Sequence, residues 1–341
     1  MSHRSKNLIF AADLGGTHLR AATVDARGTI HFRAKQNTPQ GTDPNQIVGA
    51  IVTAVGEYRK ESGKSCDETA VVNSESRAGT DETSATDGLK AISLVVPGTV
   101  NVDAGTVVKA PNLPCLDGFP LAAALTNELG LPAILENDAN AAAVGEMWQG
   151  AARGCRTIIC VTLGTGVGGG IILDGELWRG VDGAAAEIGH MCVDPFGGVA
   201  CTCGSRGCLE VFASATAIVR MTREASPRHP DSVLRDAREL TAQTIFKAGL
   251  QGDELALEIF RRMGVYLGIG LANLINILNP EMIVIGGGVV NGWDLFAKDM
   301  MQQVEERAFP LLAARVKIER AKCGDDAGLL GAARLAAIEN R

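Results

Sequence analysis

A chain of 341 residues is longer than one hydrophobic core usually serves, so we expect two domains. The net charge of −7 argues against a nucleic-acid-binding protein, which normally carries a basic patch. It does not exclude a nucleotide, because glycine loops and metal ions can hold phosphates on an acidic protein.

The sequence contains no run of about 18 apolar residues, the length that a membrane span needs. Its N-terminal residues lack the apolar segment and cleavage site of a signal peptide. We therefore expect a cytoplasmic protein with no membrane partner. A disulfide framework is not expected without an export signal, although nine cysteines are present.

In the first half of the chain, the hydrophobic pattern predicts a meander of antiparallel strands and then alternating helices and strands. A polar stretch, Ser62–Lys90, interrupts them and indicates a surface insertion that is partly disordered. The predicted elements are the strands Leu8–Asp13, Arg20–Asp25 and Ile30–Ala34, the helix Asn45–Glu61, the strand Ala91–Pro97, the helix Leu121–Leu129, the strand Ala133–Glu136 and the helix Ala139–Trp148.

The second half is mainly helical, and its strand–glycine–strand pattern at Thr157–Leu173 repeats that of Leu8–Asp25. Two related α/β domains with a cleft between them are therefore expected. The glycines of the long apolar helix, Gly264 among them, favour packing in a core over a dimer interface. The predicted elements are the strands Thr157–Leu163 and Gly170–Leu173, the helices Ser214–Glu224, Ser232–Ala237, Ala242–Ala248 and Asp253–Leu278, the strands Met282–Ile285 and Val316–Arg320, and the helix Gly328–Ile338.

The first strand ends in Asp13 and is followed by the turn Gly15-Gly16-Thr17. Such a turn can present backbone N–H groups to phosphate oxygens without a clash from Cβ atoms. Asp13 is placed to hold Mg²⁺ through water, since Mg²⁺ favours carboxylates near phosphates. An ordinary hairpin turn accounts for the same residues. The Gly-Lys-Ser/Thr ending of a P-loop is missing, which excludes that class.

A second glycine-rich turn, with Thr165 and Gly166, lies between two apolar strands. A Gly-x-Gly-x-x-Gly pattern occurs there, but a strand follows it instead of a helix, so a Rossmann dinucleotide site is excluded. We interpret the turn as a second phosphate loop. A third run, Gly286-Gly287-Gly288, closes a strand and either lets an adenine ring lie against bare backbone or makes a tight turn into a helix.

The segment Glu136-Asn137-Asp138 joins a strand to a helix. One interpretation of Asp138 is a helix cap. The other is a general base that accepts the proton of a sugar hydroxyl as its oxygen attacks a γ-phosphoryl group. The surrounding glycine motifs favour the general base. Asn137 can donate to hydroxyl groups and accept from them.

His190 is followed by three cysteines within eight residues, Cys201, Cys203 and Cys208. One imidazole and three thiolates match a closed tetrahedral zinc site. Because all four ligands come from the protein, such a zinc ion organises structure and leaves no position for a catalytic water. The spacing of Cys201 and Cys203 differs from the two-residue gap of the common dithiol redox motif. Cys192 is a spare thiol with no assigned role.

Together these motifs resemble the ROK family of sugar kinases and related repressors, and most of all its bacterial glucokinases. The resemblance extends from the Asp13 turn to Gly331-Ala332-Ala333, and the spacing of the His190 motif is its specific part. It implies the actin-like ATPase (ribonuclease H-like) fold, an α/β fold of two domains. The expected domains are residues 1–135 with the helix 325–341, and residues 136–324.

By this resemblance Asp138 is the catalytic base, and zinc fixes the orientation and tautomer of His190, whose other ring nitrogen faces the sugar. The implied partners are a sugar, ATP, Mg²⁺ and structural Zn²⁺, with a homodimer or homotetramer expected and no nucleic acid. The implied sugar ligands are Gly98, Asn112, Asn137, Asp138, Glu187, His190 and Glu210. The implied nucleotide ligands are Asp13, Gly15, Gly16, Thr17, Thr165, Gly166, Gly286, Gly287 and Gly288.

The leading hypothesis is ATP-dependent phosphorylation of a hexose, with glucose first. N-acetylmannosamine, N-acetylglucosamine, fructose or allose could replace glucose, and polyphosphate could replace ATP. A sugar-sensing regulator is the alternative from another class. Only a dozen residues precede Asp13, where family repressors carry a helix-turn-helix, so its DNA-binding part is not expected. A glycosidase could use Glu187 and Glu210 as its two carboxylates, but the glycine loops would then be unexplained.

Overall fold

The computed structural model describes residues 7–67 and 87–339. They fall into two compact units. The first comprises Met1–Gln149, Val181–Ala184 and Asp325–Arg341, and the second comprises Gly150–Gly180 and Ala185–Gly324. Most of the predicted insertion, residues 68–86, lies outside the described residues.

The strands and helices alternate along much of the chain. The strands are β1 (Leu8–Leu14), β2 (His18–Asp25), β3 (Ile30–Asn37), β4 (Leu89–Val96), β5 (Thr99–Asn101), β6 (Thr106–Lys109), β7 (Ala133–Asn137), β8 (Ile158–Leu163), β9 (Val167–Leu173), β10 (Glu176–Leu177), β11 (Met282–Gly286) and β12 (Lys317–Arg320). The helices are α1 (Asn45–Asp67), α2 (Leu121–Leu129), α3 (Asp138–Gln149), α4 (Glu210–Ala213), α5 (Ala215–Ala225), α6 (Ala242–Leu250), α7 (Glu254–Leu278), α8 (Trp293–Arg307), α9 (Pro310–Ala313) and α10 (Ala327–Glu339).

The first unit contains a five-stranded sheet of order β3-β2-β1-β4-β7. Its first three strands form the predicted antiparallel meander, and β4 and β7 run parallel to β1. Alternate apolar side chains such as Phe10, Ile92 and Leu94 are fully buried in one core. Because parallel strands end at the same edge of a sheet, Asp13 on β1, Asn137 on β7 and the Gly98 turn after β4 lie along one edge.

The second unit repeats this pattern in a sheet of order β10-β9-β8-β11-β12. Strands β8 and β9 form an antiparallel hairpin, and β11 and β12 run parallel to β8. The ends of β8 and β11 are adjacent, since Gly286 pairs with Thr162. Gly264 of α7 lies in the core as predicted, where a Cβ would come within 2.4 Å of the carbonyl oxygen of Phe296 on α8.

The C-terminal helix α10 packs directly on α3 in the first unit. A Cβ at Gly331 would lie 1.7 Å from the carbonyl oxygen of Ala141, and one at Gly145 would lie 2.1 Å from that of Ala327. The first unit therefore continues to Gln149 and includes Asp138. The domain boundary expected at residue 135 had placed this helix in the other unit.

Two other expectations differ from the structure. Residues 232–237 form turns instead of a helix, because Asp253 accepts hydrogen bonds from the Ser232 hydroxyl and the Val233 amide and holds the chain in a loop. Helix α8 was not expected, although Phe296, Met300 and Val304 have helical spacing and are buried. None of the helices in the described part of the chain is long and apolar enough to cross a membrane.

We predict that Gly331→Ala lowers the free energy of unfolding by about 3 kcal/mol, because a methyl group against a backbone oxygen forces the helices apart. The midpoint of urea denaturation measures the effect. The matched control is Gly49→Ala on α1, where a Cβ meets no atom within 4 Å. It should leave stability equal or raise it by up to about 1 kcal/mol. Equal losses in the two variants would contradict the proposed close contact.

Candidate functional site

The turn after β1 carries the first group of predicted residues. The Gly15 amide donates to the carbonyl oxygen of His18 at 2.9 Å and closes the turn. A Cβ at Gly16 would lie 3.1 Å from Cβ of Asn112, so the predicted sugar ligand Asn112 lies against the predicted phosphate turn. The exposed Thr17 follows in the same turn.

Asp13, at the end of β1, has a pKa raised to about 6. Burial is the main cause, and the negative charge of Asp138 adds to it, while Arg20 opposes the shift. Arg20 lies 3.3 Å from Asp325, just before α10. Asp13 and Asp138 thus interact electrostatically within one unit. A cation bound there would relieve the repulsion, which fits the prediction of a Mg²⁺ ligand.

The helix-capping role is filled by Asn137. Its Oδ1 accepts from the amides of Ala139 and Asn140, at 2.9 and 3.1 Å. Its Nδ2 donates to the carbonyl oxygen of Gly98 at 2.8 Å. Asp138 is exposed at the first position of α3 and accepts from the adjacent Ala139 amide at 2.8 Å. The cap is therefore supplied mainly by Asn137, and the general-base role of Asp138 stays a prediction.

Only glycine fits at position 98. Its φ is +109°, and a Cβ would lie 2.1 Å from the carbonyl oxygen of Lys109. Asn137 is thus held between this turn and α3. The second hydrogen on its amide nitrogen remains suited to a hydroxyl group.

The second unit holds the metal-ligand candidates. One donor atom each from His190, Cys201, Cys203 and Cys208 lies within 4.8 Å of the other three. The Cys201 Sγ to His190 Nδ1 distance is 3.6 Å, and Sγ of Cys203 lies 3.7 Å from Sγ of Cys208. Tetrahedral zinc, with bonds of about 2.3 Å to sulfur and 2.0–2.1 Å to nitrogen, requires about 3.6 and 3.8 Å. The donor set therefore fits zinc.

Two backbone contacts shape the segment that carries the three cysteines, residues 201–208, which we call the cysteine knuckle. The Cys201 amide donates to the carbonyl oxygen of Ser205 at 2.9 Å and closes a tight loop. Gly207 has φ +71°, and a Cβ there would lie 2.0 Å from the carbonyl oxygen of Asp194. Only glycine fits this approach, so the spacing of the cysteines depends on it.

His190 presents its two ring nitrogens to different groups. Nδ1 faces the cysteine sulfurs, and Nε2 lies 3.8 Å from Oε2 of Glu187, which is exposed. A metal ion on Nδ1 would leave Nε2 to face Glu187 and any ligand beside it. The structure thus brings together two of the predicted sugar ligands.

Glu210 connects the knuckle to the second glycine turn. It is the first residue of α4, and its Oε2 accepts from the Val167 amide at 3.0 Å. A Cβ at Gly166 would lie 2.3 Å from the same oxygen. The predicted sugar ligand Glu210 and the predicted phosphate residue Gly166 are therefore in contact.

A cavity of about 580 Å³ lies beside this turn. Thr165 and Gly288, from the second and third glycine runs, both line it. Gly287 has φ +85° and packs on Leu163, where a Cβ would lie 2.3 Å from the carbonyl oxygen. The other lining residues are Gly164, Ala215, Ile218, Ala242, Gln243, Phe246, Phe260, Val289, Asn291 and Gly292.

Sequence reasoning missed the walls of this cavity. Phe246 and Gln243 come from α6, and Asn291 follows the third glycine run. Their helical spacing alone does not separate a cavity wall from a core face.

The predicted site residues divide between the units. The first unit carries Asp13, Gly15, Gly16, Thr17, Gly98, Asn112, Asn137 and Asp138, and the second carries Thr165, Gly166, Glu187, His190, Cys201, Cys203, Cys208, Glu210, Gly286, Gly287 and Gly288.

A family model described as "ROK family" matches residues 68–339. The chain belongs to the ROK family. A glucokinase of Halalkalibacterium halodurans is 45% identical over 244 residues, which is 70% of this chain and 74% of that protein. This family membership agrees with the resemblance seen in the glycine turns and the His190 motif.

Two solved ROK structures cover nearly the whole chain. A Streptomyces griseus glucokinase in complex with glucose and AMPPNP is 34% identical, with a TM-score of 0.74 over 96% of this chain and 98% of that one. A transcriptional regulator homologous to the Escherichia coli MLC protein is 26% identical, with a TM-score of 0.83 over 97% of this chain and 78% of that one. The predicted actin-like ATPase fold is thereby confirmed.

We predict that Asp13→Asn stabilises the protein by roughly 1–2 kcal/mol above pH 6, because it removes a half-buried charge repelled by Asp138. A raised carboxyl pKa makes the folded state bind more protons than the unfolded state between pH 3.8 and about 6. The gain should therefore disappear below pH 3.8, where both states are protonated. Denaturation midpoints across pH measure it. The exposed Asp103→Asn is the control and should show no such pH-dependent gain.

We predict that Cys203→Ser lowers zinc content and stability together, because metal binding is coupled to the folding of its ligands. Elemental analysis of purified protein and thermal denaturation with and without a chelator test this. Cys115→Ser, in the first unit, is the control and should retain zinc. Fully folded protein that never contains zinc would contradict the assignment.

Proposed function

We propose that this protein transfers the γ-phosphoryl group of ATP to a hydroxyl group of a hexose, with glucose as the first candidate. The observation that carries the proposal is that Asn137 and Asp138 have different roles at the start of α3. Asn137 caps the helix, and the Asp138 carboxylate is exposed at its first position. Family membership and the named activity of the 45% identical relative support the same reaction.

In this proposal Asp138 accepts the proton of the sugar hydroxyl as the oxygen attacks phosphorus. Asp138 is exposed to solvent, where a hydroxyl group of a bound sugar could reach its carboxylate. Asn137 orients the carboxylate through its cap of α3 and donates its remaining amide hydrogen to a hydroxyl.

The proposed phosphate-binding residues are Gly15, Gly16 and Thr17 in the first unit and Thr165 and Gly166 in the second. Asp13 would hold Mg²⁺, which neutralises phosphate charge when bound. The cavity beside Thr165 and Gly288 is the proposed adenosine site. The AMPPNP in the S. griseus glucokinase supports ATP as the donor.

The remaining sugar ligands proposed are Gly98 and Asn112 in the first unit, and Glu187, His190 and Glu210 in the second. A zinc ion on Nδ1 would fix the ring plane and tautomer of His190, so that Nε2 acts toward one defined hydroxyl. The role of the zinc ion would thus be to position His190, since four protein donors leave the ion no open coordination position.

We predict that Asp138→Asn lowers kcat by about 10²–10⁴-fold, because the amide cannot accept the proton. Sugar binding should be retained, as measured by calorimetry, while turnover is followed by ADP release with ATP and Mg²⁺. The substrate panel is glucose, mannose, fructose, N-acetylglucosamine and N-acetylmannosamine. Asp103→Asn, another exposed acid of the first unit, is the matched control and should keep its activity.

The second candidate is a sugar-sensing regulator, which the TM-score of 0.83 to the MLC homologue favours. A regulator binds sugar without transferring phosphate. Sugar binding by the wild-type protein with no ADP release on any sugar of the panel would support it. Near-normal turnover by Asp138→Asn would instead show that a kinase is present and that its base lies elsewhere.

A further inference from the structure

Cys192 lies directly opposite Cys208 in an isolated antiparallel bridge. Neither residue bonds to the other through its backbone, because the flanking residues form the hydrogen bonds. In such a non-hydrogen-bonded pair the Cα atoms are about 4.5 Å apart and the side chains are on the same face. Disulfides span Cα distances of about 4.4–6.8 Å. The two flanking bonds run from the Leu209 amide to the Met191 carbonyl and from the Val193 amide to the Gly207 carbonyl, both at 2.8 Å.

The two cysteines differ in their surroundings. Cys208 is fully buried and is one of the four candidate metal donors. Cys192 is exposed and is not part of that donor set. Among the cysteines whose side chains the structure describes, only Cys192 and Cys203 are exposed. An oxidant in solution can therefore reach Cys192 while its partner remains covered.

We propose that Cys192 is a redox partner of the metal ligand Cys208, and that a peroxide joins them in a disulfide that releases the zinc ion. The inference rests on the four-donor metal site and is independent of the proposed kinase reaction. It gives Cys192 a function in an oxidative switch, where the sequence assigned none.

The disulfide between Cys192 and Cys208 forms in two stages. Hydrogen peroxide oxidises the Cys192 thiol to a sulfenic acid and leaves as water. The Cys208 thiolate then attacks that sulfur, the S–S bond forms, and the hydroxide that leaves takes up a proton to give a second water. Two electrons pass from the two sulfurs to the peroxide, and the metal ion loses one of its four donors.

The consequence follows from the geometry of the knuckle. With Cys208 removed, only His190, Cys201 and Cys203 would be left to hold the metal ion, and the affinity of the site would fall with the lost thiolate donor. The ladder already aligns the two cysteines, so little backbone movement is needed. A thiol reductant would reverse the reaction by thiol–disulfide exchange.

The test uses zinc-loaded, full-length protein and hydrogen peroxide. A chromogenic zinc chelator follows metal release, and mass spectrometry maps the disulfides. Cleavage before Asp182 and Asp194 and after Arg206 places Cys192, the Cys201–Cys203 pair and Cys208 on three separate peptides. We expect release of one zinc ion per chain together with a disulfide between residues 182–193 and the peptide that begins at residue 207. Dithiothreitol with added zinc should restore the loaded protein.

Cys192→Ser should retain its zinc at the peroxide dose that empties the wild type, and Cys115→Ser should lose zinc as the wild type does. Equal zinc release from Cys192→Ser, or a disulfide among Cys201, Cys203 and Cys208 with Cys192 still reduced, would overturn the proposal. So would purified protein that binds no zinc. Because none of these measurements uses turnover, failure of the kinase proposal and failure of this one are distinguishable.

Discussion

The first unit depends on a backbone contact between two helices that are far apart in the sequence. Gly145 on α3 and Gly331 on α10 each meet a carbonyl oxygen of the other helix. This approach fixes α3 against the sheet, and with it the position of Asp138 at the start of the helix. It also brings Asp325 to the strand that carries Arg20, where the two side chains lie 3.3 Å apart. Small residues here are therefore a requirement of the site as much as of the fold.

The same contact creates the electrostatic conflict at the edge of the sheet. Burial and the charge of Asp138 raise the pKa of Asp13, and only Arg20 opposes them. A bound cation would relieve this repulsion, as the proposed Mg²⁺ role of Asp13 requires. Without a bound cation, the protein is expected to be less stable than a variant with a neutral side chain at position 13.

In the second unit, the corresponding constraint is the glycine at position 166. With no side chain there, the Glu210 carboxylate lies against the turn and accepts the Val167 amide. Glu210 directly follows the cysteine knuckle, whose loops depend on Gly207. Glu210 thus lies between the cysteine knuckle and the glycine turn. The proposed disulfide between Cys192 and Cys208 would form two residues before Glu210 in the chain.

Much of this could be predicted from the sequence. The strand–glycine–strand repeat predicted two related sheets, and the spacing of His190 and the three cysteines predicted a donor set whose distances fit zinc. These features are local, because glycine turns and short ligand spacings act over a few residues. At Asp138 the local sequence fits a helix cap as well as a general base, since a carboxylate at a helix start looks the same in either role, and only the surrounding glycine motifs favour the base.

Tertiary structure decided what depends on residues far apart in the chain. It assigned the cap to Asn137, joined Glu210 to Gly166, and placed α3 with α10 instead of with the residues that follow it. It also set Cys192 opposite Cys208, across sixteen positions of sequence. No periodicity or spacing encodes such pairings, because each results from how separate elements pack and which backbone groups then meet. The sequence by itself determined the kinds of groups present, and packing decided which of them act together.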